Sequence, residues 1–153
     1  MPDNNFTIRP YQTQDQGAVI ELWRECSLVV PQNDPERDIE RKINVNREMF
    51  LVGLLDEVIV ATVMAGYEGH RGWINYLAVS PSVQRGSLGR QMMDKAEALL
   101  RDASCPKINL QVRASNSDVI EFYQSIGFSV DNVISMGKRL IEDDSDQMDR
   151  QSE

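Results

Sequence analysis

Between Trp73 and Leu100 the spacing of apolar residues changes once, from the period of a strand to that of a helix. Ile74, Tyr76, Leu77 and Val79 bring the β-branched, aromatic and aliphatic side chains of a buried strand. Ser80-Pro81 ends it. From Leu88 onward the apolar positions are Leu88, Met92, Met93, Ala96, Leu99 and Leu100, which lie along one helix face. The intervening Gln84-Arg85-Gly86-Ser87-Leu88-Gly89 puts glycines and a basic side chain where that helix begins. Unpaired backbone N–H groups and the positive end of the helix dipole suit such a place to an anion, usually a phosphate.

The same patterning predicts elements on either side. Phe6 to Arg9 reads as a short first strand. Thr13, with Gln16 three residues on, has the form of a capping box for a helix whose face is Val19, Leu22, Trp23 and Cys26. Pro31 closes the Leu28-Val29-Val30 run that follows, and Asp34-Pro35 supplies the cap and first-turn proline of a second, highly charged helix with Ile39 and Ile43 inward. Met49 to Leu55 and Val58 to Tyr67, joined at Asp56-Glu57, predict a hairpin, and Gly66 to Gly72 a loop. Beyond the central helix, Cys105-Pro106 breaks the chain and Ile108, Leu110 and Val112 alternate as a strand. Val119, Phe122, Tyr123 and Ile126 form another helix face that Gly127 ends, and Val130 to Leu140 can hold a final hairpin or irregular strand. The order of elements, with no repeat and no linker, predicts one α/β (α+β) domain over residues 1–141 around a central sheet. Residues 142–153 are too acidic and too poor in apolar side chains to pack, and are expected to form a disordered tail.

Composition narrows the chemistry. The chain has 153 residues, 41% hydrophobic and 26% charged, the balance of an ordinary globular domain. No apolar run approaches the ~20 residues of a membrane span, and the first residues lack a secretory pattern, so no membrane partner is expected. Of the net charge of −8, the six acids and one base of residues 142–153 contribute −5, which leaves −3 on the rest. That residue of charge argues against nucleic-acid binding. Cys26, Cys105 and the single His70 make neither a disulfide framework nor a metal-ligand set. A cytoplasmic location with reduced thiols and no metal is the expectation.

Two phosphate-loop types are excluded by spacing. A nucleotide-hydrolysing loop needs Lys followed by Ser or Thr after its last glycine, and here Arg90-Gln91 follows Gly89. A dinucleotide fold needs three glycines as G-x-G-x-x-G and an acid about twenty residues later, which Gly86 and Gly89 do not supply. An ordinary surface turn before a helix would also fit these residues. What the stretch resembles is the acetyl-coenzyme A motif of the GNAT (Gcn5-related) N-acetyltransferases, Gln/Arg-x-x-Gly-x-Gly/Ala after a Leu-Ala-Val strand. Gln84 and Gly89 stand at the two ends of that motif; Ser87 takes the place of the family's first glycine, and Gly86 lies one residue early. Leu77-Ala78-Val79 and the block from Val112-Arg113-Ala114-Ser115-Asn116 through Phe122-Tyr123 to Gly127-Phe128 extend the resemblance over residues 6–141. The second block is similar to the ribosomal-protein alanine acetyltransferase branch.

The resemblance implies a single-domain GNAT fold, a central mixed sheet flanked by helices on both faces, whose two middle strands splay apart. It further implies an acyltransferase moving an acetyl group from acetyl-CoA directly to a primary amine: a protein N-terminus, a lysine or a small molecule. Leu77, Ala78 and Val79 would run along the pantetheine arm, one backbone N–H polarising the thioester carbonyl. Arg85, Gly86, Ser87, Leu88, Gly89 and Arg90, with Gln84, would hold the pyrophosphate, with Lys95 and Lys107 farther out. Tyr123 matches the family tyrosine that protonates the departing thiolate, and Asn116 either caps its helix or approaches the cofactor. Without the resemblance, Tyr123 would read as a core residue. Where the alanine acetyltransferase branch has a glutamate, this chain has Gln111, which cannot take a proton; Trp73, Asn75 and Tyr76 fill the central-strand positions where other members carry one. Glu68, His70 or ordered water are then left as proton routes. The acids Asp34, Glu36, Asp38 and Glu40 would suit a cationic amine or form a solvated face. A homodimer is compatible with all this. The alternatives are a catalytically silent acyl-CoA sensor of the same fold and a nucleotide-binding regulatory module.

Overall fold

Asp56 and Glu57 both adopt positive φ (50° and 71°), the tight turn whose twist matches that of the strands it joins. The strands are β2 (Phe50–Leu55) and β3 (Val58–Tyr67) in a computed structural model that describes residues 5–83 and 86–143. Before them come β1 (Phe6–Pro10), α1 (Gln16–Glu25) and α2 (Pro35–Ile43). After them come β4 (Gly72–Val79), α3 (Leu88–Asp102), β5 (Ile108–Asn109) and α4 (Ser117–Ser125). The sheet runs in the order β1-β2-β3-β4-β5, antiparallel except for the parallel β4–β5 pair. The order of elements predicts one central sheet, and the resemblance implies that it is mixed, as it is.

Alternation along the strands sends side chains to two cores. Leu51, Ala61, Val63, Ala65 and Ile74 pack with Met92, Met93, Ala96 and Leu100 of α3 and Tyr123 of α4. Phe50, Val52, Met64 and Ala78 pack with Val19, Leu22 and Trp23 of α1 and Ile39 of α2. Helices therefore cover both faces. Gly53 is held by close approach, since a Cβ there would lie 2.6 Å from the Phe6 ring and 2.9 Å from the Met92 sulfur.

Four local expectations change. The box read at Thr13 and Gln16 is made instead by Asp15, whose carboxylate accepts the Gln12 N–H (2.9 Å) and two bonds from the Arg9 guanidinium (2.7 and 3.0 Å) while only 5% exposed. The strand expected over 108–112 is cut to Ile108–Asn109, and residues 130–140 form no ladder. That segment is tied to the chain beside it by Lys107 with Asp131 (2.7 Å) and Gln111 with Ser135, then reaches the loop before α2 through Arg139 and Asn33 (3.3 Å). Asp143, inside the stretch read as an unpacked tail, is 2% exposed. Arg41 (3.0 Å) and Arg37 (3.5 Å), one helical turn apart on α2, meet its carboxylate, which also accepts the Asp34 N–H (3.0 Å). Composition shows the acids of that stretch but not two arginines facing one of them. Residues 144–153 lie outside the described residues.

The Arg9 guanidinium, ahead of all other influences, holds the Asp15 carboxyl below its ordinary range. Because the native value is depressed, the stabilisation is complete above the unfolded value of about 3.9 and is lost as pH falls through the native one. Asp15→Asn is expected to lower stability by about 2 kcal/mol at pH 7. In urea unfolding at a series of pH values, the gap between parent and variant should begin to narrow as pH falls past the unfolded value of about 3.9 and go on narrowing towards the depressed native one.

Candidate functional site

The sheet opens between β4 and β5. Their ladder consists of Gly72 opposite Ile108 and Trp73 opposite Asn109; β4 then runs on to Val79 while the chain beyond Asn109 leaves it. Leu110 and Val112 pack on the α3/α4 core, as Ile108 does. At the branch point, Asn109 Oδ1 is buried without a hydrogen-bond partner among the described residues. The unused backbone edges of two parting strands can take an extended ligand between them.

Beside the opening, β4 bulges. Thr62 pairs with Ala78 and Met64 with Asn75, so Tyr76 and Leu77 together stand opposite Val63. Tyr76 has a φ of 53°, an outlier for a bulky side chain. Its ring stacks on Trp23 (centroids 3.9 Å, planes 15° apart), its hydroxyl donates to Asp38 Oδ2 (2.6 Å), and its carbonyl accepts from the Thr62 hydroxyl (2.9 Å). Burial above all, with Asp38 next to it, pushes the Tyr76 phenol well above its ordinary range. Leu77 points to the α3/α4 core, Ala78 is buried against the other, and the Val79 carbonyl accepts the Cys26 thiol (3.3 Å).

The far end of β4 leads through a single turn at Pro81–Val83 to α3. Gln84 and Arg85 lie outside the described residues. The Gly86 N–H donates to the Val83 carbonyl (3.4 Å). Ser87 is the N-cap of α3 at φ −93° and ψ 18°, a backbone that does not demand the family's glycine. Its Oγ accepts from Gln91 (2.9 Å) and its side chain is exposed. Leu88 is buried. Gly89 serves packing: a Cβ there would sit 3.4 Å from the Phe122 ring and 3.6 Å from Val79, so the first turn of α3 lies close on both β4 and α4. Arg90 is exposed on that turn.

Tyr123 is 8% exposed, in edge-on contact with Phe122 (5.2 Å) and Phe128 (5.5 Å). Burial pushes its phenol up to about 12. Its hydroxyl makes no hydrogen bond among the described residues, so a core ring carries an uncommitted donor. Asn116 is the N-cap of α4 by position, but its side chain makes no cap bond and is exposed.

Of the proton-accepting candidates, Glu68 is committed to its own loop. Its carboxylate accepts the backbone N–H groups of Arg71 and His70 (both 2.5 Å), which hold its pKa below the ordinary range and leave it a weaker base. His70 is exposed in the same loop, and Gln111 is exposed beside Ser135. Among the acids of α2, Asp34 caps its own helix (Glu36 N–H, 3.0 Å) and Asp38 is bonded to Tyr76 and Arg41; Glu36 and Glu40 are exposed. Sequence reasoning passed over the grouping of Trp23, Thr62 and Asp38 around Tyr76. The one signal for it was a threonine in the otherwise apolar Val58–Ala65 run. No group of metal ligands occurs among the described residues, and none of their helices is long and apolar enough to cross a membrane.

The model of the acetyltransferase (GNAT) family matches residues 17–128. A curated acetyltransferase of Pectobacterium atrosepticum is 43% identical over 136 residues, covering 89% of this chain and 96% of that one. Among solved structures, Ard1 from Thermoplasma volcanium superposes with a TM-score of 0.74 at 22% identity, over 83% of this chain and 84% of its own. The ribosomal-protein-S18-alanine N-acetyltransferase of Escherichia coli gives 0.69 at 22% identity, over 81% and 77%. Likeness at that identity shows a shared fold.

Proposed function

The chain belongs to the acetyltransferase (GNAT) family, and from that premise we propose that it transfers an acetyl group from acetyl-CoA to a primary amine, directly and within a ternary complex. The observation that carries this is the opening between β4 and β5, with the N-terminus of α3 at one end and the uncommitted Tyr123 phenol on the adjoining α4. The orphaned Asn109 oxygen and the bulged β4 edge fit an extended, amide-bearing arm in that opening. Backbone N–H groups of Leu77 and Val79 would hold the arm and polarise the acetyl carbonyl, while the amides of residues 85–90, with Arg85 and Arg90, would hold the pyrophosphate. Tyr123 would deliver the proton that the departing sulfur needs, and Asn116 would border the arm. Since Gln111 has no basic site and Glu68 is committed to its own loop, the amine's proton would leave through His70 or ordered water. We place this chemistry in the cytoplasm, where Cys26 and Cys105, both free thiols, stay reduced.

Calorimetry tests the first half: acetyl-CoA is expected to bind and ATP is not, and the reverse would mean a nucleotide module. Mass spectrometry of a panel of peptide N-termini, lysine peptides and small amines tests the second. Gln111 favours one rival, a silent acyl-CoA sensor, which would bind the cofactor and acetylate nothing in the panel. Gln111→Glu places a carboxylate at an exposed site and is expected to raise turnover near neutral pH. An unchanged rate across a full pH series would leave proton removal to His70 or water.

A further inference from the structure

We propose that Thr62 is a positioning residue for acetyl transfer, its hydroxyl locking the β4 bulge through the Tyr76 carbonyl; this rests on the acetyltransferase reading above. Thr62 is fully buried, and its hydroxyl is used at both ends. It accepts from Trp23 Nε1 (2.9 Å) and donates to the Tyr76 carbonyl (2.9 Å). Tyr76 is one of the two residues that the bulge takes out of the ladder register, and it holds a left-handed φ of 53°. A strained bulky residue persists only where its surroundings over-determine it. Here they grip ring, hydroxyl and carbonyl separately, through Trp23, Asp38 and Thr62.

The link to chemistry is the planarity of one peptide bond. The Tyr76 carbonyl and the Leu77 N–H belong to the same trans amide and point in opposite directions. The carbonyl is drawn towards Thr62 on β3, so the Leu77 N–H is turned away from β3, to the side on which β5 has parted from β4. That N–H is one of those proposed to face the acetyl carbonyl. A donor that is merely nearby contributes little; one held in line with developing charge contributes most. Valine at position 62 would keep the shape but leave the Tyr76 carbonyl and the Trp23 indole without their partner, and the 76–77 peptide plane would be free to turn.

Infrared spectroscopy of bound acetyl-CoA carrying a ¹³C carbonyl reads this directly, whatever the natural amine is. The parent protein is expected to shift the thioester stretch to lower frequency than in solution. Thr62→Val should lose most of that shift while binding acetyl-CoA nearly as well, and its kcat with n-butylamine should fall roughly 10- to 100-fold with KM little changed. Thr62→Ser, which restores the hydroxyl, should recover both. Thr62→Ala and Thr62→Ser lack the same methyl and differ only in the hydroxyl, so that pair decides the matter if the valine variant does not fold. A parental stretch and parental turnover in folded Thr62→Val, or in Thr62→Ala against Thr62→Ser, would overturn the role of Thr62 and leave the acetyltransferase reading intact. Failure of the parent to bind acetyl-CoA at all would overturn both.

Discussion

Tyr123→Phe is expected to lower turnover by roughly 10²- to 10⁴-fold while leaving acetyl-CoA affinity close to that of the parent. The substitution removes one oxygen and keeps the ring that Phe122 and Phe128 meet edge-on. Because the hydroxyl has no partner among the described residues, its loss orphans nothing, and stability should change by less than about 1 kcal/mol. The packing of Tyr123 and its proposed proton donation are thus separable by one atom. Burial pushes the phenol up to about 12, so it stays protonated throughout the neutral and mildly alkaline range. A raised value means that the donor is lost only as pH climbs towards it. In the parent, therefore, Tyr123 itself should contribute no alkaline fall in kcat below about pH 11. The check is kcat and the cofactor dissociation constant on one folded preparation. Near-parental turnover would remove Tyr123 from the mechanism and leave it as core.

Local patterning reached the elements but not the gaps between them. The Asp56-Glu57 hairpin, the Asp34 cap of α2 and the α3 face from Leu88 to Leu100 were all written in neighbouring residues, because turn chemistry and helix periodicity act over a few positions. The opening of the sheet was not so written. Ile108, Leu110 and Val112 alternate as a strand should and pack on one core, yet the ladder stops at Asn109, so the alternation does not report where pairing ends. The bulge at Tyr76 was equally silent, since nothing in a run of apolar residues says that one of them will take positive φ. Thr62 was the exception in that neighbourhood: a hydroxyl placed among valines must find partners, and the partners lie on α1 and β4, far along the chain. Asp143 teaches the reverse. Net charge describes a segment, whereas pairing depends on which cations face it, here Arg37 and Arg41.

The proposed anion site at α3 can be tested without disturbing the helix that would form it, and Ser87→Asp is expected to weaken acetyl-CoA binding by roughly 10²-fold. Ser87 is the N-cap of α3 and its side chain is exposed, so the longer side chain meets no wall. Asp is as good an N-cap as Ser, and its charge is favourable at the positive end of the helix dipole, so thermal stability should hold or rise slightly. The Gln91 amide that now donates to the Ser87 hydroxyl (2.9 Å) can donate to a carboxylate equally well. What stabilises the free helix opposes the ligand. A carboxylate about 5 Å from a diphosphate costs on the order of 3 kcal/mol at an effective dielectric of about 40, which is the expected loss of affinity. Ser87→Asn has the same shape without the charge and should bind nearly as the parent does. Salt should narrow the gap between the two variants, because screening weakens the repulsion that separates them. Calorimetric titration of parent, Ser87→Asn and Ser87→Asp at low and high salt, beside their melting temperatures, gives all of these quantities. Parental affinity in a folded Ser87→Asp protein would put the pyrophosphate somewhere other than the N-terminus of α3.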